Sequence, residues 1–368
     1  GGSARSPARP SLDSEREAPS DPCVHDCSPS EANECSLEST LGRRHARAMR
    51  DPREIITLEP SGVRLSRMGF GAAALGGEYG ALGALEGTQA VRCAVEEGLV
   101  WFDTAPYYGR TESESRLGRA LEGHRDQVTL ATKCARLGRE EFDFSRGGVR
   151  AQLEGSLRRL RTDHIDLYQV HDVEFTTRKQ VLEETLPALA ELRDEGKIRA
   201  VGITGLHPHL LLDLCEASSI AIDAALTYCH HDLLDWSLRD EWADRFASIE
   251  VPLLSASPTH MGILTQGGPQ AWHPAPESVL EAGRRMAEVC AEAGENLATL
   301  ALAEAFAQPG PEAILIGART ASEVRSTLGA LQEGPSSELV GRLRELAAEV
   351  HGLTWNDGLP ENAPTVAP

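Results

Sequence analysis

From Ile55 onward, short apolar runs alternate with longer segments whose apolar residues recur every three or four positions, the strand and helix signatures respectively. The strand-like runs are Met68-Phe70, Val100-Phe102, Val128-Ala131, Ile165-Val170, Ile198-Ile203, Ala224-Tyr228, Val251-Leu254 and Ala313-Ile316. Helical spacing occupies Thr88-Glu97, Glu112-Leu121, Val149-Leu160, Gln180-Asp194, Pro208-Glu216 and Leu297-Phe306. Gly98 and Gly196 stand where helices need a left-handed closing residue. Ahead of this alternation, Ile55-Leu58 and Val63-Leu65 flank Pro60-Ser61-Gly62, which predicts a small β-hairpin. Eight buried strands alternating with helices in one continuous pattern predict an α/β fold of the closed (β/α)8 TIM-barrel type rather than an open sheet. Extra helices are expected at the C-terminal side, between Pro274 and Glu292 and from Ser336 to Val350.

The first fifty or so residues break the pattern. They are rich in Ser, Pro, Arg and Glu with no sustained apolar period, so residues 1-52 read as a disordered N-terminal extension. Residues 53-358 form the barrel and 359-368 a flexible C-terminal tail. The extension lacks the apolar core of a secretory signal, and its acids do not suit a transit peptide. Its Cys23, His25, Cys27 and Cys35 match no common zinc spacing, so no metal site is expected. The chain has 368 residues with 56 acids against 36 bases, a balance that argues against nucleic acid or an anionic membrane as partner. Scattered cysteines without a framework suit reduced thiols and a cytoplasmic location.

The chemistry lies at strand ends. Val100-Trp101-Phe102 runs into Asp103, with Tyr108 in the loop that Pro106 and Gly109 mark; the next strand ends on Lys133, and the one after it is followed by His171. Barrel active sites form at the carboxyl ends of the strands, so these four meet at one mouth. A phenol near pKa 10 is a poor proton shuttle at neutral pH. A neighbouring ammonium held charged by a carboxylate would lower that value, and the imidazole could hydrogen-bond the substrate oxygen. Such a set needs no metal if a nicotinamide carries the hydride.

These residues carry a resemblance. Asp103-Thr-Ala-x-x-Tyr108-Gly109, Ala131-Thr-Lys133 and His171 resemble the aldo-keto reductase superfamily, together with Met68-Gly-Phe-Gly71, Ser113-Glu114-x-x-Leu117-Gly118, Gly196-Lys-Ile-Arg-x-x-Gly202 and Ile316-Gly-Ala-Arg319. The resemblance implies NAD(P)-dependent carbonyl reduction or alcohol oxidation, with Tyr108 as acid or base beside Asp103, Lys133 and His171. A narrower likeness, through His171-Asp172-Val-Glu174-Phe, Ile203-Thr204-Gly205-Leu206, Ser255-Ala256-Ser257-Pro258 with Met261-Gly262, Trp272-His273-Pro274 and Leu353-Thr354-Trp355, is to L-galactose dehydrogenases and L-fucose-type aldose dehydrogenases. These oxidise the anomeric carbon of a free sugar to a lactone. Thr204-Gly205 replaces the Ser-Asn pair that many members carry, Ala225 stands at a Gln position, and Ala256 replaces a stacking aromatic.

By that resemblance the dinucleotide would lie against Gly71, Thr204, Gly205, Tyr228, Ser257, Pro258, Met261, Gly262 and Leu264, with its adenosine end at Gly317, Arg319, Glu323 and Thr327. Arg319 suits a 2′-phosphate and hence NADP, whereas Glu323 would repel one and favour NAD, the slightly preferred cofactor. Asp172, Glu174 and Trp272 are candidate sugar contacts. His230 and His231, adjacent on one strand end, face opposite ways and so do not read as a metal pair. An NADPH-dependent aldehyde or ketone reductase and a cofactor-binding regulatory subunit are the alternatives to an aldose dehydrogenase. The expected partner is a small-molecule substrate, for a monomer or small homo-oligomer.

Overall fold

In the computed structural model, which describes residues 50–364, a hairpin of β1 (Ile55–Leu58) and β2 (Val63–Ser66) precedes the barrel. The barrel strands are β3 (Met68–Gly71), β4 (Trp101–Asp103), β5 (Thr129–Cys134), β6 (Ile165–Val170), β7 (Ile198–Thr204), β8 (Ala224–Tyr228), β9 (Leu253–Ala256) and β10 (Ala313–Gly317). All eight are parallel and follow chain order around a closed ring in which β10 pairs with β3. Each expected strand is present, shifted by at most a few residues toward its carboxyl end. The strands read as continuous apolar runs because both faces are covered, by side chains inside and helices outside.

The hairpin caps the amino-terminal end. Ser66 Oγ accepts from Val100 N at 3.1 Å, and Thr129 Oγ1 donates to Arg64 O at 2.6 Å, just where β4 and β5 begin. Leu58, Val63 and Leu65 then join Trp101, Leu167, Leu226, Leu254 and Leu315 in the sealed interior. Trp101 is fully buried and fits because Gly69 has no side chain: a Cβ there would stand 2.4 Å from the indole. Truncating such a residue to Ala costs about 3–5 kcal/mol. With one end plugged, the opposite end is left for chemistry.

Helices Ala84–Glu96, Glu112–Ala120, Arg146–Leu160, Leu186–Asp194, Pro208–Ala217 and Ala321–Glu333 surround the strands, and Glu277–Glu292 packs with Ser337–Ala347 as the expected C-terminal additions. Gly98 and Gly196 have φ of +88° and +75° and close their helices as expected. A segment not anticipated from the sequence, Leu238–Ser248, is helical and opens with a wide turn. Only its Leu238 and Phe246 are buried, with Trp242 half-buried between them, too sparse a stripe to stand out.

The boundaries differ at both ends. Most of the expected extension, with its Cys and His residues, lies outside the described residues. Its last residues already belong to the packed unit, since Pro52 O accepts from Met68 N at 2.9 Å. The chain from Leu359 to Pro364 does not leave the barrel: Leu359 N donates to Glu174 O at 2.8 Å, and buried Asn362 donates through Nδ2 to Glu174 O and Thr176 O at 2.9 and 2.8 Å. The described cysteines Cys93, Cys134, Cys215, Cys229 and Cys290 are all free. Among the described residues no helix is long and apolar enough to cross a membrane.

Candidate active site

The carboxyl ends of β4, β5 and β6 place Asp103, Lys133 and His171 around one point of the mouth. Lys133 is 2 % exposed; its Nζ bonds Asp103 Oδ1 and donates to Thr104 O at 2.8 Å and Tyr108 Oη at 3.3 Å. Tyr108 is set by a tight contact between two loops. Gly109 N donates to Glu78 Oε1 at 2.8 Å, and Gly109 has φ +59° with a hypothetical Cβ 2.2 Å from Gly76 O, so only glycine lets the loops meet. The His171 ring lies edge-on to Tyr108, centroids 5.8 Å apart, and to Tyr107 at 6.0 Å.

Gln169, inside β6, was not anticipated from the sequence, yet its Nε2 donates to Asp103 Oδ2 at 2.8 Å and completes the carboxylate's partners. Its signal was present: an amide inside a buried strand, two residues before the histidine. Arg136 was also missed. It follows Lys133 by three residues, turned back by Ala135 at φ +78°, and pairs with Asp172.

Burial sets the protonation states. It pushes the Asp103 carboxyl up, with Lys133 and Gln169 opposing. Against the expectation of a lowered phenol, burial, then the Asp103 and Asp172 carboxylates, hold Tyr108 well above its ordinary value, and Arg136 pulls it down. Burial lowers His171 to about 3, so the ring is neutral near pH 7, and its Nδ1 is buried with no partner among the described residues. Asp172 lies below the usual carboxylate range: burial opposes this, but the Arg136 guanidinium bonded to its Oδ2 outweighs it.

A model of the aldo/keto reductase family matches residues 67–348. The chain belongs to that family. It is 36% identical to L-galactose dehydrogenase of Arabidopsis thaliana over 84% of this chain and 99% of the relative. It is 30% identical to D-arabinose 1-dehydrogenase of Saccharomyces cerevisiae, over 73% and 87% of the two chains. An aldo-keto reductase of Bacillus halodurans in its holo form has the same fold, with TM-score 0.64, 25% identity and coverage of 83% and 98%. Membership makes this chain an NAD(P)(H)-using oxidoreductase.

The residues at the mouth suit a dinucleotide. Gly71 and Gly317 face each other across the β3–β10 pair, where a Cβ on Gly71 would lie 3.6 Å from Gly317 N. Beyond them the turn at Ala318 and Arg319 enters helix Ala321–Glu333, whose Thr320 caps Glu323 N, an arrangement suited to a phosphate. Thr327 is buried on that helix. Tyr228 ends β8 opposite Ala256, and Ser257, Met261 and Gly262 form a turn with φ of +57°, +50° and +102° beside buried Pro258. Thr204 Oγ1 accepts from Asp172 N at 3.2 Å.

Three expected contacts fall differently. Arg319 does not present a free guanidinium: its Nη2 donates to Ala81 O at 2.7 Å, while its backbone N donates to Glu323 Oε2 at 2.7 Å. Leu264 is fully buried in a separate apolar cluster with Ile263, Met286 and Leu297, so its side chain reaches no ligand. Glu174 is also fully buried; its Oε1 accepts from Leu206 N at 2.9 Å and its Oε2 lies against Gly205, where a Cβ would stand 2.6 Å away. Burial, aided by Asp172, pushes its carboxyl well above the usual range, making it a neutral structural acid rather than a sugar contact. Trp272 stays on the rim, 43% exposed and 6.1 Å from the Tyr79 ring. His230 bonds Asp235 and Leu206 O, and His231 bonds Ala305 O; among the described residues no group of ligands could hold a metal.

Proposed function

We propose that the protein is an NAD+-dependent aldose 1-dehydrogenase that oxidises the anomeric carbon of a free sugar to its lactone. The observation that carries this reading is the buried Asp103–Lys133–Tyr108 chain beside a neutral His171. When NAD+ is bound, its nicotinamide accepts the hydride leaving C1. Tyr108 takes the proton of the anomeric hydroxyl as phenolate, a form that burial disfavours in the free protein and that Lys133 and the positive charge of NAD+ would favour, so the C1–H and O–H bonds break as C1=O forms. Lys133, anchored by Asp103, steadies the phenolate charge, and His171 hydrogen-bonds the reacting oxygen.

The substrate class is argued from the relatives' names together with sugar stereochemistry. L-Galactose and D-arabinose share the configuration of C2 and C3, a threo pair of hydroxyls, so a threo aldose is the substrate proposed here. The preference for NAD+ is supported by the turn after β10. There a 2′-phosphate would meet the Glu323 carboxylate, and Arg319 is already engaged by Ala81.

The test is a screen of free aldoses and aryl aldehydes with both cofactors, alongside a Tyr108→Phe variant. NADH formation with L-galactose or D-arabinose, reduced on the order of a thousandfold in the variant while NADH binding persists, is the expected result. Faster turnover of aryl aldehydes with NADPH would establish the reductase reading instead. Dinucleotide binding without any turnover would establish the regulatory one.

A further inference from the structure

Two buried ion pairs flank the reacting phenol. The first, Asp103–Lys133, is used by the reaction; the second, Arg136–Asp172, has no role in it so far. Arg136 is 9 % and Asp172 3 % exposed, and both sit on the same wall as His171. The guanidinium is fixed among three rings, its carbon 4.3 Å from the Tyr107 centroid, 4.7 Å from Phe175 and 5.6 Å from Phe142. Asp172 is equally constrained, with φ +54°, its amide bonded to Thr204 and its Oδ2 3.6 Å from His171 Nε2. Left-handed backbone at a non-glycine residue costs about 1–3 kcal/mol and persists where the surroundings over-determine it.

This arrangement leaves open valences. Nη1 of Arg136 and Oδ2 of Asp172 bond each other, no other side-chain hydrogen bond of either group is found among the described residues, and Arg136 Nε is buried without a partner. A rigid donor and a rigid acceptor therefore stand side by side next to the imidazole that meets the reacting oxygen. Adjacent hydroxyls on a sugar, each able to donate and accept, match such a pair. A buried charged partner also rejects an analogue that lacks the hydroxyl, because its own valence is then left unpaired.

We propose that Arg136 and Asp172 form the subsite that grips the C2–C3 diol of the aldose, Arg136 donating to one hydroxyl oxygen and Asp172 accepting from its neighbour. This deepens the aldose dehydrogenase reading and rests on it. It makes the pair the element that selects threo sugars, distinct from the groups that move the proton.

The test compares D-arabinose with D-ribose, its C2 epimer, and with 2-deoxy-D-ribose, which lacks the C2 hydroxyl. The wild type is measured first, then R136Q, R136K and D172N, with NADH affinity followed by fluorescence. The expected wild-type preference for D-arabinose over 2-deoxy-D-ribose is about tenfold to a hundredfold in kcat/KM. In R136Q and D172N that preference shrinks to a few-fold through a raised KM for D-arabinose, and R136K restores part of it. Equal loss for all three sugars, carried by kcat, or a preference that survives the substitutions, would overturn the proposal. A wild type that oxidises none of the sugars would instead remove the aldose reading, and the diol subsite with it, before any variant is made.

Discussion

Replacing Lys133 by Met removes, among the described residues, the one ammonium within reach of the Tyr108 oxygen. At 3.3 Å, a unit charge acting on phenolate is worth about 5 kcal/mol at an effective dielectric of about 20. Asp103 holds the same ammonium and itself raises the phenol, so a good part of this is cancelled. If roughly half survives, the phenolate loses about 2–3 kcal/mol, and sugar oxidation falls about a hundredfold. The loss should carry a signature in pH. With the phenol held well above its ordinary value, wild-type oxidation should rise throughout the assayed pH range, and the K133M limb should lie below it, reaching the same rate only at higher pH, because the cation favouring the charged form is gone. Stability gives a second reading. K133M leaves Asp103 buried and unpaired, so the single variant should lose about 3–5 kcal/mol, whereas D103N/K133M, with neither charge, should recover much of it without recovering turnover. The assay is NADH formation at saturating sugar and NAD+ from pH 6 to 10, beside denaturant melts. A K133M enzyme with more than a tenth of wild-type kcat, or with an unmoved limb, would refute the argument that the ammonium supports the phenolate.

Three further outcomes are expected. Glu323→Gln should weaken discrimination against NADP+, seen as a lower ratio of kcat/KM between the cofactors; an unchanged ratio would mean that the carboxylate capping Arg319 N does not govern the choice. Glu174→Gln keeps the acceptor for Leu206 N and replaces a neutral acid by a neutral amide. Because the folded value is raised, the wild type loses stability as pH climbs through it, so E174Q should match the wild type at low pH and exceed it in alkaline melts. Burial lowers His171 to about 3 and His207, His231 and His273 to about 4. These histidines protonate in the unfolded chain near pH 6.5 but resist it when folded. Their contribution is full above that pH and is lost as pH falls toward 4. Melting temperature should drop across that window, less steeply in H231Q, and a flat profile would contradict the burial argument.

The barrel and the meeting of Asp103, Tyr108, Lys133 and His171 at its mouth were legible because both rest on local signals. Strands covered on both faces leave unbroken apolar runs, and polar residues that end such runs stand out. What was illegible depends on groups far apart in sequence. Glu174 looks like a solvated loop acid, and only Gly205 and Gly358, which lack the Cβ atoms that would strike it, create its sealed place. Arg136 reads as an ordinary charge until Ala135 turns it back among Tyr107, Phe142 and Phe175. Arg319 offered a phosphate ligand by type, but a loop some 240 positions earlier claims its guanidinium. Leu264 lay beside a turn at the mouth, yet its side chain packs away into a second core behind it.

The turn from Asp172 to Thr176 is gripped from two sides, by the Leu206 amide through Glu174 and by Leu359 and Asn362 near the end of the described chain. The imidazole's address in the mouth is thus written partly by residues nearly two hundred positions later. Trimming the protein at the close of its last long helix would spare every barrel strand while releasing the brace behind His171. Such a shortened enzyme is expected to hold its dinucleotide and yet turn over slowly, which would make Leu359 and Asn362 a buttress for the mouth rather than an appendage.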